Sequence, residues 1–196
     1  IHLRNEAYYK KLLDNFKDKA YITLATLDIA KRLRELEKQL AKNLALEEAF
    51  TESTRTSKVE AQKKEKERLV EERDFLQRYL NEEKSNIPLA ATLSLEFGNT
   101  SVNLYAGMDD AFKRYNAPIL AWYETARYAF ERGMVWQNLG GVENSLNGGL
   151  YHFKEKFNPT IEEYLGEFTM PTHPLYSLLR IALDFRKALR TKHHRR

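Results

Sequence analysis

The residues best suited to chemistry lie at positions 151–157, where a lysine stands between aromatic residues directly after a glycine-rich loop. Apolar neighbours can hold the ammonium group of Lys154 in a partly desolvated site, where its positive charge would stabilise an oxyanion that develops during acyl transfer. Aromatic residues flanking lysines are also common in ordinary cores, beside solvated charges. The spacing alone leaves both interpretations open.

Three further residues are candidate ligand contacts. Arg4 and Tyr8 are four positions apart, so on a helix they share one face, from which they can hold a phosphate or a carboxylate. Tyr105 stands near the end of a predicted strand, shortly before a glycine. Each of these is equally compatible with an ordinary surface or core residue. The paired glycines at 140–141 and 148–149 either bring backbone amides close to a ligand or simply make turns.

Several classes of site are excluded by what the sequence lacks. There is no cysteine, which excludes disulfides, thiolate metal sites and a cysteine nucleophile, and this composition fits a reducing compartment. No Walker loop, HExxH, GxSxG or dinucleotide-binding fingerprint is present. Nucleotide hydrolysis, zinc proteolysis and serine hydrolysis therefore have no support in the sequence.

A long charged insertion follows the first helix and strand, which are predicted at residues 3–17 and 21–27. From residue 28 to 48, apolar residues recur at steps of four and three, and a second charged helix is predicted at 59–84 after a polar break. The apolar residues form one seam along each helix: Ile29, Leu33, Leu36 and Leu40 on the first helix, and Leu69, Leu76 and Leu80 on the second. Two helices joined by so short a loop run antiparallel, and they form an arm about 30 to 40 Å long.

Beyond residue 86 the composition becomes that of a globular domain. Gly98 and Asn99 form a turn-prone pair between two apolar strands and predict a hairpin. The elements expected after residue 88 are strands at 89–97 and 102–106, a helix at 116–132, a strand at 135–139, a loop at 140–149, a strand at 161–168 and a helix at 175–189. The predicted organisation is an α+β domain, made of residues 1–27 and 88–196, with the arm inserted at 28–87.

The charge distribution bears on partners and location. The formal net charge is +4, and the six lysines and arginines of residues 186–196 account for its sign. Such a tail either binds phosphate on RNA or an anionic lipid surface, or is merely solvated. No apolar run is long enough for a membrane span and no signal segment is visible, so a cytoplasmic location is expected. Because Ile1 is not an initiator methionine, we expect a segment of a longer protein.

Seven short motifs occur in order along nearly the whole chain. They are RNEAYY at 4–9, LYAG at 104–107, AWYE at 121–124, NLGG at 138–141, FKEKF at 153–157, EYLGEF at 163–168 and PLY at 174–176. Together with the helical insertion, this order resembles the Fem family of peptidoglycan branch aminoacyltransferases, which includes FemA, FemX, MurM and MurN. The chain is similar to the C-terminal part of such proteins.

The resemblance implies a fold and an activity. The fold is acetyltransferase-like (GNAT-like), the second of two such domains, with an antiparallel coiled-coil arm similar to the tRNA-contacting arm of seryl-tRNA synthetase. The activity is transfer of an amino acid from aminoacyl-tRNA to the stem-peptide lysine of UDP-MurNAc-pentapeptide or lipid II, without metal or coenzyme. A monomer is expected, inactive without the N-terminal domain. Which amino acid is transferred stays open.

The resemblance also assigns roles to residues. Lys154 matches the lysine that stabilises the oxyanion, and Phe153 lies beside it at the acyl-transfer site. Arg4, Tyr8 and Tyr105 match contacts to the phosphates and peptide of the acceptor, a role that suits the forked donors of arginine. No protein base stands out, and family analogy implies that the substrate itself helps to move the proton.

The arm, as a tRNA contact, has its own candidate residues. Its contact surface is expected to include Lys31, Arg32, Lys38 and Lys42. The basic tail favours a peripheral contact with the inner face of the membrane, because an anionic leaflet attracts nearby cations.

The sequence departs from the family pattern at two places. Lys156 stands where many members have glycine, and residues 108–110 replace the usual small hydroxyl residues. Two other functions remain as alternatives. An acyl-coenzyme A N-acetyltransferase would need a glycine-rich pyrophosphate loop, which is not found here. A non-catalytic coiled-coil interaction module would need a partner helix, although the two arm helices already cover each other's seams.

Overall fold

A computed structural model describes residues 4–81, 86–143, 146–166, 168–173 and 175–193 of the chain. The chain divides into two compact units, residues 1–157 and residues 158–196. In chain order the elements are α1 (Glu6–Phe16), β1 (Ala20–Asp28), α2 (Ile29–Glu48), α3 (Thr56–Asn81), β2 (Asn86–Phe97), β3 (Thr100–Met108), α4 (Ala117–Glu131), β4 (Trp136–Asn138), α5 (Gly149–Lys154) and α6 (Tyr176–His193). Short 3₁₀ helices lie at Lys17–Lys19, Asp110–Tyr115 and Glu155–Phe157. The predicted α+β class is confirmed.

The first unit is built on a mixed sheet in the order β1-β2-β3-β4. β1 pairs with β2 and β2 with β3 in antiparallel fashion, whereas the short β4 runs parallel to β3. Gly98, with a φ of 60°, and Asn99 form the predicted turn between β2 and β3. The hairpin forms here because glycine adopts this left-handed conformation without the steric cost that a Cβ brings.

One irregularity in β3 changes which way its side chains face. Leu93 of β2 pairs with Tyr105, but the next residue, Ser94, pairs with Asn103, so that Leu104 is an extra residue on β3. In a regular strand, residues 103 and 105 would share a face. The shift instead turns Tyr105 to the face of Leu93 and Asn103 to the face of Ser94.

Helices cover both faces of the sheet. On one face, Leu12 of α1 forms a small core with Ala20 and Leu93. On the other, the hydroxyl of Thr125 in α4 lies 2.5 Å from that of Thr92 in β2. Because Thr92 and Leu93 are consecutive in a strand, they point to opposite faces, so α1 and α4 lie on opposite sides.

The two arm helices pack against each other as an antiparallel hairpin. Asp28 caps α2 by accepting a hydrogen bond from the Lys31 backbone nitrogen at 2.9 Å. The predicted seam residues are buried or partly buried in a cluster that extends into the sheet. Farther out, Asn43 and Gln62 each donate a side-chain hydrogen bond to the other's backbone carbonyl. The supercoil of a coiled coil, the acetyltransferase-like classification and the domain boundaries at 27/28 and 87/88 stay predictions.

A buried carboxylate connects the arm to the rest of the unit. Glu72 of α3 is only 3% exposed, and it accepts hydrogen bonds from Arg32 at 2.7 and 3.0 Å, from the Tyr115 hydroxyl at 2.9 Å and from Arg68 at 3.3 Å. Burial raises the pKa of Glu72, but the hydrogen bonds from Arg32 and Tyr115 and the two guanidinium charges outweigh it and hold that pKa below its usual value. Glu72 therefore stays ionised.

In the second unit, the predicted strand at 161–168 is wrong for the described residues, which are irregular at 158–166 and 168. The alternating pattern is that of a strand, yet a strand needs a neighbour, and no described strand pairs with this segment. Leu165 is accordingly 93% exposed.

The predicted final helix is confirmed as α6. Pro174, Glu167 and the side chains of residues 186–196, which include the basic tail, lie outside the described part. Across the described helices, none is long and apolar enough to cross a membrane.

Candidate active site

The lysine singled out in the sequence lies at the C-terminal end of α5 and is only 6% exposed. The Nζ atom of Lys154 donates hydrogen bonds to the carbonyl oxygens of Gly140, at 3.1 Å, and Gly141, at 2.6 Å. The loop is held in turn by Asn138, whose Oδ1 accepts from the Gly140 nitrogen at 2.7 Å. Spacing alone could not show that these two glycines supply acceptors for the lysine.

A cluster of aromatic rings lies beside the same ammonium group. Nζ of Lys154 lies 5.8 Å from the ring centroid of Trp122 on α4. Phe153 meets that ring edge-on at 5.1 Å, and Phe157 stacks on it at 5.9 Å. The predicted partly desolvated setting is present, and its largest ring belongs to a helix that the sequence analysis had not connected with the lysine.

Two opposing influences set the proton affinity of the lysine. Burial lowers the pKa of Lys154, and the nearby carboxylate of Glu143 acts in the opposite direction. Glu143 packs so closely against the loop that a Cβ on Gly148 would lie 2.7 Å from its Oε2. An ammonium group has three donors. Within the described residues two of them have acceptors, which leaves one for an oxygen atom of a ligand.

The second set of candidates also comes together. The hydroxyls of Tyr8 and Tyr105 are 3.1 Å apart, and the Arg4 guanidinium lies 5.5 Å from the centroid of the Tyr8 ring. Tyr9, which the sequence analysis missed, meets the Tyr105 ring edge-on at 5.3 Å. The hydrogen bond with Tyr105 raises the pKa of the Tyr8 hydroxyl, so this group remains a donor at neutral pH. One cation and two hydroxyls thus share a surface suited to an anionic ligand.

β3 lies between the two sets of residues. Tyr105 faces α1, while the Oδ1 of Asn103 accepts hydrogen bonds from Ser94, at 2.7 Å, and Gln137, at 3.0 Å. The backbone oxygen of Asn103 would lie 3.8 Å from a Cβ on Gly140, the residue that binds the lysine. β3 therefore contacts the lysine loop through the backbone of Asn103 and the tyrosine cluster through the side chain of Tyr105.

The four cations proposed for the arm differ in their surroundings. Lys31, Lys38 and Lys42 are exposed on one face of α2, and Arg34, which the sequence analysis missed, shares that face at the same spacing of three or four residues. None of these takes part in an ion pair within the described chain. Arg32, in contrast, is bound to Glu72. We call the exposed set, Lys31, Arg34, Lys38 and Lys42, the basic stripe.

Replacing Gly140 by alanine is expected to impair the lysine site specifically. The φ of 77° disfavours any Cβ, at a cost of about 1 kcal/mol, and the new methyl group would lie 3.6 Å from Nζ of Lys154. Gly98→Ala is the matched control, since Gly98 also has a positive φ but no atom within 4 Å of its Cβ. In urea unfolding both variants should lose similar stability. In the transfer assay described below only Gly140→Ala should lose rate, by about tenfold or more. Equal rates in the two variants would contradict this account of the loop.

Comparison with known proteins gives a consistent result. The FemAB family model matches residues 1–183. Aminoacyltransferase FemA of Staphylococcus aureus strain MW2 is 26% identical over an alignment of 195 positions, which covers 89% of this chain and 45% of FemA. FemA of S. aureus strain NCTC 8325 / PS 47 gives the same values. The chain thus spans about half the length of the curated relatives it matches.

The fold has a counterpart among solved structures. The crystal structure of FemX matches with a TM-score of 0.51 at 20% identity, over 79% of this chain and 42% of the FemX chain. At this level of identity the match bears on the fold alone.

Proposed function

The chain belongs to the FemAB family, and on that premise we propose that the protein transfers an amino acid from aminoacyl-tRNA to the stem-peptide lysine of a peptidoglycan precursor. Homology to FemA supports a transferase at the level of the family. One structural observation supports the finer proposal: a buried lysine, fixed by two backbone carbonyls, has a third N–H donor without an acceptor among the described residues, and this donor can bind a ligand oxygen.

The mechanism follows from where charge develops. The side-chain amine of the acceptor attacks the ester carbonyl that links the amino acid to the tRNA, and the carbonyl oxygen gains negative charge. Lys154 donates its remaining N–H to that oxygen, in a setting where burial strengthens the interaction. Collapse of the tetrahedral intermediate forms the amide and breaks the ester bond. The proton lost by the amine passes to the departing ribose oxygen, with the substrate itself as the relay.

The acceptor is expected to bind at the cluster formed by Arg4, Tyr8 and Tyr105. UDP-MurNAc-pentapeptide and lipid II both carry a diphosphate, and Arg4 together with the hydroxyls of Tyr8 and Tyr105 offers charge and donors that suit it. Phe153, edge-on to Trp122, keeps water from the transferred carbonyl.

We also propose a cytoplasmic location, with the basic tail bound to the anionic inner face of the membrane.

We propose that the tRNA contacts the arm through the basic stripe. Changing Lys31, Lys38 and Lys42 to glutamine should weaken tRNA binding and reduce the slope of log K against log salt by about one per lysine. The control changes Lys17, Lys19 and Lys113, which are exposed outside the arm, in the same way. Filter binding over a salt series measures both. If the two triple variants behave alike, the arm is not the RNA contact.

An assay of acyl transfer distinguishes the proposed function from the two alternatives, an acyl-coenzyme A N-acetyltransferase and a coiled-coil interaction module. The full-length protein is mixed with a lysine-containing muropeptide and either charged tRNA or acyl-coenzyme A, each with a labelled acyl group. We expect label in the stem peptide from charged tRNA only. Label from acyl-coenzyme A would indicate an ordinary N-acetyltransferase. No label from either donor, together with self-association of the protein, would favour the interaction module.

A further inference from the structure

A shallow, open groove of about 450 Å³ lies beside the lysine site. Its walls come from the first turns of α4 and from the 3₁₀ helix that follows α5. They consist of Asn116, Ile119, Leu120, Tyr123, Lys156 and Phe157. The walls are mostly apolar, and their polar groups belong to Asn116, Lys156 and the hydroxyl of Tyr123. Tyr123 is 58% exposed, so its ring face is available to a flat ligand.

The groove and the active site share a wall. Phe157 lines the groove and also stacks on Trp122, with an angle of 25° between the rings. Trp122 is the ring over which Nζ of Lys154 lies. Two ring contacts, Phe157 to Trp122 at 5.9 Å and Trp122 to Nζ of Lys154 at 5.8 Å, therefore connect the groove to the catalytic ammonium group.

The chemistry of the donor restricts what can occupy this groove. If the ester carbonyl lies at Lys154, the ribose of the terminal nucleotide is joined to that carbonyl through a single oxygen atom. The base and the 5′-phosphate of the same nucleotide are then only a few bonds from that carbonyl, so both must lie close to the lysine. A base needs an apolar or aromatic platform for stacking, and its phosphate needs a cation. Tyr123 and Phe157 supply aromatic rings, and Lys156 supplies the charge.

We propose that this groove binds the terminal nucleotide of the donor tRNA. Its base stacks on Tyr123 beside Phe157, Lys156 pairs with the 5′-phosphate, and Asn116 offers an amide to the base edge. This inference rests on the proposed function, since it takes the position of the ester at Lys154 as given. It also gives a role to Lys156, a cation that lines the groove and that the proposed chemistry at Lys154 does not use.

Kinetics with truncated donors test the groove. The donors are charged tRNA, 3′-aminoacyl-adenosine and the same compound with a 5′-phosphate. Tyr123→Ala should raise KM for all three donors by about tenfold, because each of them carries the base. Lys156→Gly should raise KM only for the donors that have a 5′-phosphate. Neither variant should change KM for the muropeptide. Phe130→Ala is the matched control, as Phe130 is an exposed aromatic residue of α4 outside the groove.

The outcomes distinguish the groove from the wider proposal. If wild type transfers but the variants match Phe130→Ala, the groove inference is wrong and the proposed function stands. If the variants raise KM for the muropeptide instead, the groove belongs to the acceptor, and the inference is again wrong. If wild type transfers nothing, the proposed function is wrong, and the groove is tested separately by binding of a fluorescent CCA trinucleotide. Binding that is lost in Tyr123→Ala supports a nucleotide-binding groove. Binding that is unchanged in the variant, or absent in wild type, rules the groove out as a nucleotide site.

Discussion

Replacing Lys154 by alanine is expected to lower single-turnover transfer from charged tRNA by a hundredfold or more. That loss corresponds to about 2.7 kcal/mol of transition-state stabilisation. The reason is that the ammonium group is fixed on Gly140 and Gly141 before the reaction starts, so it meets the developing oxyanion with no cost of reorganisation. Because the charge acts mainly in the transition state, KM for either substrate should change little.

Two further variants separate charge from packing at this position. Lys154→Met keeps the length and the apolar stem, so that its rate should fall as far as that of the alanine variant. Lys19→Ala removes an exposed lysine far along the sequence and should leave the rate unchanged. A methionine variant with the wild-type rate would show that the stem is what matters. An alanine variant with the wild-type rate would remove Lys154 from the chemistry while leaving the family membership intact.

The second large effect is on stability and concerns Glu72, where the arm contacts the rest of the first unit. Changing Glu72 to glutamine should reduce the free energy of unfolding by about 3 kcal/mol, because Arg32 loses its buried charged partner and Tyr115 loses a strong acceptor. Glu65→Gln is the control: Glu65 also binds an arginine, Arg68, but both side chains are about half exposed, and such pairs contribute about 1 kcal/mol or less. Urea unfolding should shift the midpoint with little change in slope.

The same pair of variants has a pH signature. The folded pKa of Glu72 is lowered from its usual 4.5, so its stabilisation is present above that pH and is lost as the pH falls through the folded value. Wild type and Glu72→Gln should therefore differ most near neutral pH and converge in acid. A difference that persists unchanged below the folded pKa would mean that packing, not the carboxylate charge, stabilises the arm.

The local parts of the fold are those that the sequence predicted well. The turn at Gly98 and Asn99 needs only neighbouring residues, and the buried seams of the arm follow from their own periodicity. The strand expected at 161–168 shows the limit of this reasoning, because alternation describes a half-buried strand but does not supply the strand it must pair with.

The active site, too, could be predicted only where neighbouring residues in the sequence determine it. Aromatic neighbours indicated a desolvated Lys154, yet its acceptors at Gly140 and Gly141 depend on how a long loop folds back. The contact between Tyr8 and Tyr105 joins residues 97 positions apart, so no local pattern could reveal it. The pairing of Arg32 with Glu72 joins residues 40 positions apart, so the sequence could not show that this arginine is already bound.

The most direct test of the proposed function is to determine where the amino acid ends up. The full-length protein is supplied with charged tRNA and with one of two muropeptides, one that has a free stem-peptide lysine and one whose lysine Nε is acetylated. Single-turnover transfer is then followed by mass spectrometry of the product. The account predicts one added aminoacyl group on the free lysine and none on the blocked peptide. No addition to the free lysine from any charged tRNA would contradict it.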